Sequence, residues 1–319
     1  MPLSVCAAVV ILPRAALTSP SCEHPTGSGL TGGPANLRRH VFGIFCRNLQ
    51  VKARRFGEPG VTAMRYMDRF RSARRKGVKR AGRLLLHKMS RFIASQSLIG
   101  NEPVLDKSVF PWTAEFEANW EKIRTEVDEV LKISHTLPSF HEISPDQKRI
   151  STDDNWKTFV FYGFGIRVDE NCRRCPETAR LLDQLPSLEN AWFSILAPGY
   201  HIPPHRGPTN GIVRVHLGLV VPRDRENCRI RVDREVLHWE EGKCIVFDDH
   251  YEHEVWNDTA EQRVVLFFDV DRPMRPLGHF VNRLLIAGIR RSAYVRDAQK
   301  RLQMWQQKVP EMPQHEEAA

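Results

Sequence analysis

The stretch that decides the fold runs from Pro198 to Pro273. It begins PGYHIPPHRGPTNGIVRVHLGLVVP (198–222), continues with CRIRV (228–232) and WEEGKCIVFDDHYEHEVWN (239–257), and closes on RVVLFFDVDRP (263–273). Short β-rich runs are cut by Gly, Pro and Asp-Asp breaks, a spacing that predicts an antiparallel double-sheet barrel. The strands expected are 213–221, 228–232, 243–247, 254–257 and 264–270. Two histidines, His205 and His253, lie beside strand-like runs with several strands between them. Arg263 stands one residue before the apolar run VVLFFDV.

Imidazoles suit a redox-active transition metal, and a guanidinium suits a carboxylate through a bidentate contact. Two of the first and one of the second are the parts of an iron- and 2-oxoglutarate-dependent oxygenase. The words PPHRGPTN, RVHLGLVVP, WEEGKCIVFDD and HEVWN, followed by Arg263, resemble the aspartyl/asparaginyl β-hydroxylase family, which includes the bacterial lipid A hydroxylases. The likeness extends more loosely to FPW (110–112), NWEKIR (119–124) and NCRRCPETARLLDQLP (171–186), covering roughly the central half of the chain. The resemblance implies a double-stranded β-helix of the jelly-roll or cupin kind, with covering helices. It implies Fe(II) held by His205 and His253, with 2-oxoglutarate and dioxygen as co-substrates. Arg263 would anchor the distal carboxylate of the keto acid, Ser194 of WFSIL would join it there, and Arg214 and His216 would neighbour the co-substrate. Alternation places Arg214, His216 and Gly218 on one strand face. The plainer readings are an ion pair for Arg214 and a hydrogen-bonded core residue for His216.

Two positions depart from the wider pattern. The usual iron site adds a carboxylate two residues after the first histidine, and here that residue is Gly207. The animal peptidyl hydroxylases also carry glycine there, the lipid A branch carries aspartate, and halogenating relatives use the vacancy for a halide. A water-completed iron site, a halide site and lost activity all fit Gly207. Position 212, which is basic in the animal enzymes and suits an acidic substrate there, is Ile212. A peptidyl Asp/Asn substrate and a lipid acyl chain therefore both stay open. Asp248 and Asp249 are out of ligand register and read as turn residues, with an outer supporting role to the metal as the alternative.

Outward from this core, residues 156–168 read as a strand pair, 178–185 as a short helix stopped by Pro186, and 192–196 as a strand turned by Pro198-Gly199. A helix is expected over 110–132, with Phe116, Trp120, Ile123, Val127 and Val130 as its apolar stripe. The seven cysteines are odd in number and scattered. They do not form a disulfide framework, so a reducing compartment is expected. Cys172 and Cys175 form the one CxxC, which reads as plain helix-start thiols rather than half a zinc ribbon.

The flanks carry the charge. The net charge is +9, and residues 65–91 hold eleven Lys or Arg against Asp68. The catalytic stretch is near balance, so the excess reads as an attachment device. The domain order expected is 1–63, a Pro/Gly/Ser-rich extension; 64–100, a basic amphipathic helical segment; 101–275, the dioxygenase domain; and 276–319, a basic helical tail. The first segment fits a disordered tail, an Arg-rich targeting peptide or an upstream extension of a chain starting at Met64. The second fits either an anionic membrane surface or packing on the core, with Leu85, Met89, Phe92, Ile93 and Gln96 on one face. In the tail, Phe280, Leu284 and Ala287 share a face. Nucleic acid is not expected, since no aromatic platform accompanies the charge. No apolar run reaches the ~18 residues that span a bilayer. A cytoplasmic location follows, with a peripheral position at the inner membrane face as its variant.

Three classes of function result. The first is an active hydroxylase acting on a peptide or lipid. The second is a metal- or ligand-binding barrel without turnover. The third is a membrane-surface adaptor acting through the basic helices.

Overall fold

The computed structural model describes residues 88–144 and 147–306. Among the described residues, ten strands form two antiparallel sheets. They are β1 (Trp156–Gly163), β2 (Ile166–Arg167), β3 (Leu188–Leu196), β4 (Tyr200–His205), β5 (Ile212–Val220), β6 (Cys228–Val232), β7 (Glu235–His238), β8 (Cys244–Phe247), β9 (His253–Asn257) and β10 (Arg263–Asp271). The larger sheet has the order β2-β1-β3-β10-β5-β8, and the smaller β4-β9-β6-β7. Each expected strand is present with ends shifted by a residue or two, except that the strand expected over 192–196 begins four residues earlier, at Leu188. Strands β4 and β7 are additions to the sequence reading.

Alternation along β10 sorts the core into two layers. Val264, Leu266 and Phe268 face outward from the sheet pair, where helices cover them. Val265 and Phe267 face inward and pack with Ile202, Ile230, Val232, Trp239 and Val255 of the smaller sheet and its loops. The covering helices are α2 (Trp112–Ala118), α3 (Trp120–Lys132), α5 (Asp169–Arg174) and α6 (Pro176–Asp183), with a short α4 (Phe140–Ile143) between them and a helix α1 described over 88–95. Phe116, Ile123, Val127 and Val130 are buried as expected, each contributing about 1.5–3 kcal/mol of transfer free energy. The single helix expected over 110–132 is two. Asn119 leaves helical geometry at φ −109°, ψ 13°, and its Nδ2 donates to the Glu115 carbonyl at 2.9 Å, ending α2 before α3 begins.

The CxxC thiols are core residues. Cys172 and Cys175 are unpaired and 2% and 0% exposed, and burial pushes the Cys172 thiol up to about 11. Such thiols are inert.

Residues 64–87 of the expected basic segment lie outside the described residues. Its end packs on the core, with Ile93 fully buried, Leu98 N–H donating to the Pro273 carbonyl at 3.0 Å, and Ser97 bridging Met274. After the core come α7 (Pro276–Arg290) and α8 (Ala293–Gln306). The face of α7 that periodicity selects, with Phe280 and Leu284, points outward. The buried residues of α7 are Gly278 and Asn282. A Cβ on Gly278 would meet that of Gln96 at 2.3 Å, so glycine lets α7 approach the end of α1. Among the described residues no helix is long and apolar enough to cross a membrane.

Candidate active site

The site lies between the two sheets, and strand periodicity aims its residues there. On β9, His253 alternates with Val255, which is in the inner layer, so His253 points inward. Strand β4 needs an irregularity to match it. Ile202 pairs with Val255 and points inward, but His205 is three residues on and would point outward under strict alternation. A bulge between Ile202 and His205 sets three steps of β4 against two of β9 and brings His205 opposite His253. Strand β4 tolerates this, and Pro203 and Pro204, because it is an edge strand.

The two imidazoles are oriented alike. Their ring centroids are 4.1 Å apart. His205 Nδ1 lies 2.9 Å from the Pro203 carbonyl, and His253 Nδ1 lies 3.0 Å from the Tyr251 carbonyl. A carbonyl can only accept, so each Nδ1 carries the proton and each Nε2 keeps its lone pair. Burial holds both neutral, drawing His205 down to about 4 and His253 well below the ordinary imidazole range. Neutral imidazoles with bare Nε2 atoms are what a divalent metal binds, so the pair fits the iron that the resemblance implies. Among the described residues, no cluster of three or more His, Cys, Asp or Glu forms a metal cage.

The place of the missing carboxylate is filled from elsewhere. The Gly207 N–H donates to the Asp249 carbonyl at 2.7 Å, and a Cβ on Gly207 would fall 2.1–2.3 Å from the atoms of the Asp249 carboxylate. Asp249 is wholly buried, and burial pushes its carboxyl up to about 7 against the pull of Arg214. Asp249 is thus more than a turn residue. Its carboxylate takes the space that a side chain at 207 would need. Asp248 does serve a turn, accepting from His250 N–H at 3.0 Å, and also forms a buried ion pair with Arg272.

Opposite them, the inner face of the larger sheet presents Ser194, Arg214, His216 and Arg263. Arg263 is 1% exposed and has no ion-pair partner among the described residues. Its Nη1 makes only long contacts, 3.4 Å, to the Ser194 carbonyl and hydroxyl, and its Nε has no hydrogen-bond partner. The guanidinium lies 4.6 Å over the Trp239 ring. Burial draws Arg263 down to about 10. Ser194 Oγ also accepts from Trp156 Nε1 at 3.0 Å, which orients the hydroxyl. His216 is 6% exposed and neither ring nitrogen has a partner. It sits among Phe247, Phe267 and Trp239, with ring centroids 5.1–6.1 Å away, and burial holds it neutral. A buried guanidinium, an imidazole and a hydroxyl with spare hydrogen-bonding capacity fit a carboxylate-bearing ligand.

Arg214 is different. It makes a bidentate pair with Asp269, at 2.9 and 3.1 Å, and its Nη2 lies 2.8 Å from Asp249 Oδ2. The Phe267 ring lies 4.3 Å beneath it. The ion-pair reading therefore describes Arg214, with partners that the sequence reading did not name. Arg272, held by Asp248 and by the carbonyls of Gly100 and Asn210, was also missed.

The sequence model for aspartyl/asparaginyl β-hydroxylases matches residues 117–273. An ornithine lipid ester-linked acyl 2-hydroxylase of Rhizobium tropici is 50% identical over 184 residues, which cover 58% of this chain and 66% of that protein. Human aspartyl/asparaginyl β-hydroxylase is 37% identical over 162 residues, 49% of this chain but 20% of the human protein. Mouse aspartate β-hydroxylase domain-containing protein 2 is 30% identical over 249 residues, 71% of this chain and 65% of the mouse one. The chain thus spans just under two thirds of two of these relatives and a fifth of the third. Both histidines, Arg263 and the two-sheet core fall within the matched stretch, and the chain belongs to the aspartyl/asparaginyl β-hydroxylase family.

Proposed function

We propose that this chain is an Fe(II)- and 2-oxoglutarate-dependent hydroxylase acting on an unactivated carbon of a lipid acyl chain. The two sheets would then be the double-stranded β-helix of such enzymes. The observation that carries the proposal is Arg263, a buried guanidinium without a carboxylate, facing the same interior as two histidines with bare Nε2 atoms. An uncompensated buried charge is costly, and it persists where a ligand supplies the counter-charge. The five-carbon diacid would place one carboxylate on Arg263 and Ser194 and the other end toward His205 and His253, with His216 beside it.

Iron(II) with 2-oxoglutarate and dioxygen supplies the oxidising power for carbon–hydrogen hydroxylation, leaving succinate and carbon dioxide. The protein's share is binding, orientation and shelter. The Pro203 and Tyr251 carbonyls fix the imidazole tautomers. Asp249, seated beside Gly207 and ion-paired to Arg214 through Oδ2, keeps Oδ1 without a hydrogen-bond partner, and that oxygen would orient a water beside a bound metal. Phe247, Phe267 and Trp239 keep bulk water from the keto acid.

The choice of acyl chain over peptidyl carboxylate rests on charge. Arg214 is already matched by Asp249 and Asp269, and Ile212 is 5% exposed and apolar. Neither offers a free cation to a substrate carboxylate. The 50% identity to an acyl 2-hydroxylase supports the same choice.

The test starts anaerobically. Wild type with iron(II) and 2-oxoglutarate should give the weak visible charge-transfer band of the chelate, and His205→Ala should not. Under air, an ornithine-type acyl lipid should stimulate succinate release more than an acidic peptide does. Absence of the band in folded protein would sink the proposal. A band without succinate release would fit the alternative of a ligand-binding barrel without turnover, and stimulation by the peptide alone would move the substrate to a peptidyl side chain.

A further inference from the structure

Helix α7 has one packed side and, beside it, an exposed apolar stripe. On the packed side Gly278 lies against Gln96, and Asn282 Nδ2 donates to the Gly211 carbonyl at 2.9 Å. In the stripe, Leu277, Phe280 and Leu284 are 59%, 60% and 58% exposed. Their i, i+3, i+7 spacing aligns them along one stripe. Leu98, 62% exposed, lies near the start of α7, its N–H bonded to the Pro273 carbonyl. Single exposed leucines are ordinary, but an aligned apolar stripe beside the packed side of a helix marks an interaction surface.

Charge indicates what the surface meets. From Arg272 to Arg296 there are six arginines and no Asp or Glu. Arg272 and Arg290 are used internally, by Asp248 and Glu189. Arg275, Arg283 and Arg291 are exposed along α7. A second copy of this face, brought up by a two-fold axis, would set like charges together. A polyanionic, apolar-backed surface matches both the stripe and the cations.

We propose that the Leu277–Phe280–Leu284 face of α7 docks on an anionic bilayer surface, with the helix lying in the plane of the headgroups. The inference stands on α7 alone. Its consequence for substrate rests on the acyl-chain reading. Asn282 and Arg272 hold the Asn210–Gly211 backbone, five to six residues after His205, so docking would bring lipid close to the candidate metal site.

The experiment is co-sedimentation of the full chain with phosphatidylglycerol-containing vesicles and with phosphatidylcholine vesicles. Wild type should bind the first, less so as salt rises, and not the second. A triple variant, Leu277→Gln, Phe280→Gln and Leu284→Gln, should lose at least about tenfold in partitioning, with its circular dichroism unchanged. Replacing Arg275, Arg283 and Arg291 with Gln should weaken binding about fivefold per charge. Phe280→Trp gives a reading without loss of fold: emission should shift to the blue on binding and be quenched by brominated lipid. Failure of wild type to bind, equal binding by the triple variant, or unquenched emission would each overturn the proposal. So would a variant whose only change is dissociation of an oligomer, which would assign the face to a second copy. Vesicle binding needs neither iron nor keto acid, so this proposal and the hydroxylase reading fail separately.

Discussion

Two arginines face the space between the sheets from neighbouring strands, and they are solved differently. Arg214 on β5 is gripped by two carboxylates. Arg263, at the start of β10, has none and rests on a serine and an indole ring. Both are buried charges, so both carry a desolvation cost. At Arg214 the protein offsets that cost itself, and the residue reads as architecture. At Arg263 the cost is left open, and the residue reads as half of a binding site. Residue type is shared and both are largely withdrawn from water, Arg214 at 14% side-chain exposure and Arg263 at 1%, so it is chiefly the partners that separate the two roles.

The comparison presumes that Arg263 and the histidines form one site. His253→Ala tests this most severely. It should remove iron-dependent turnover and lower ferrous affinity more than the ~10–100-fold that outer-partner substitutions carry, measured by the anaerobic chelate band. Retained activity would detach the arginine from the metal reading. Arg214→Met should cost about 3–5 kcal/mol of folding stability, since Asp249 and Asp269 lose their cation, measured by urea denaturation. Arg263→Met should do the opposite to the fold. Its stability should hold or rise, while the 2-oxoglutarate requirement climbs about 30–100-fold, from loss of a charge-assisted contact. If both arginine variants unfold alike, the distinction fails. Ser194→Ala is the mildest change, with an expected rise of about fivefold in the co-substrate requirement, from one neutral hydrogen bond of about 1 kcal/mol.

Much of this was legible in the sequence, for reasons tied to range. VVLFFDV reads as a buried strand because its apolar run is local. His205, His253 and Arg263 were found through words of five to eleven residues. What escaped was relational. YHIPPH is absent from the expected strands because proline disfavours them, and only an edge position with a bulge makes it β4. The grip on Arg214 joins residues 35 and 55 positions away, and it needs the β5–β10 register, which pairs Arg214 with Asp269. The role of Asp249 beside Gly207 could not be read from either residue alone. The face of α7 was read correctly as a face, but its outward direction depends on Asn282 finding a carbonyl at Gly211.

The bulge in β4 has a mechanical side. His205 and His253 form the last rung of an edge ladder whose preceding two residues, Pro203 and Pro204, donate no backbone hydrogen bonds. A metal joining the two imidazoles would act as a clasp on the β4–β9 seam of the smaller sheet. Chelation would then unfasten β4 before it disturbs the larger sheet, and removing one residue from the bulge would put His205 two steps from Ile202, where regular pairing alone faces it toward His253.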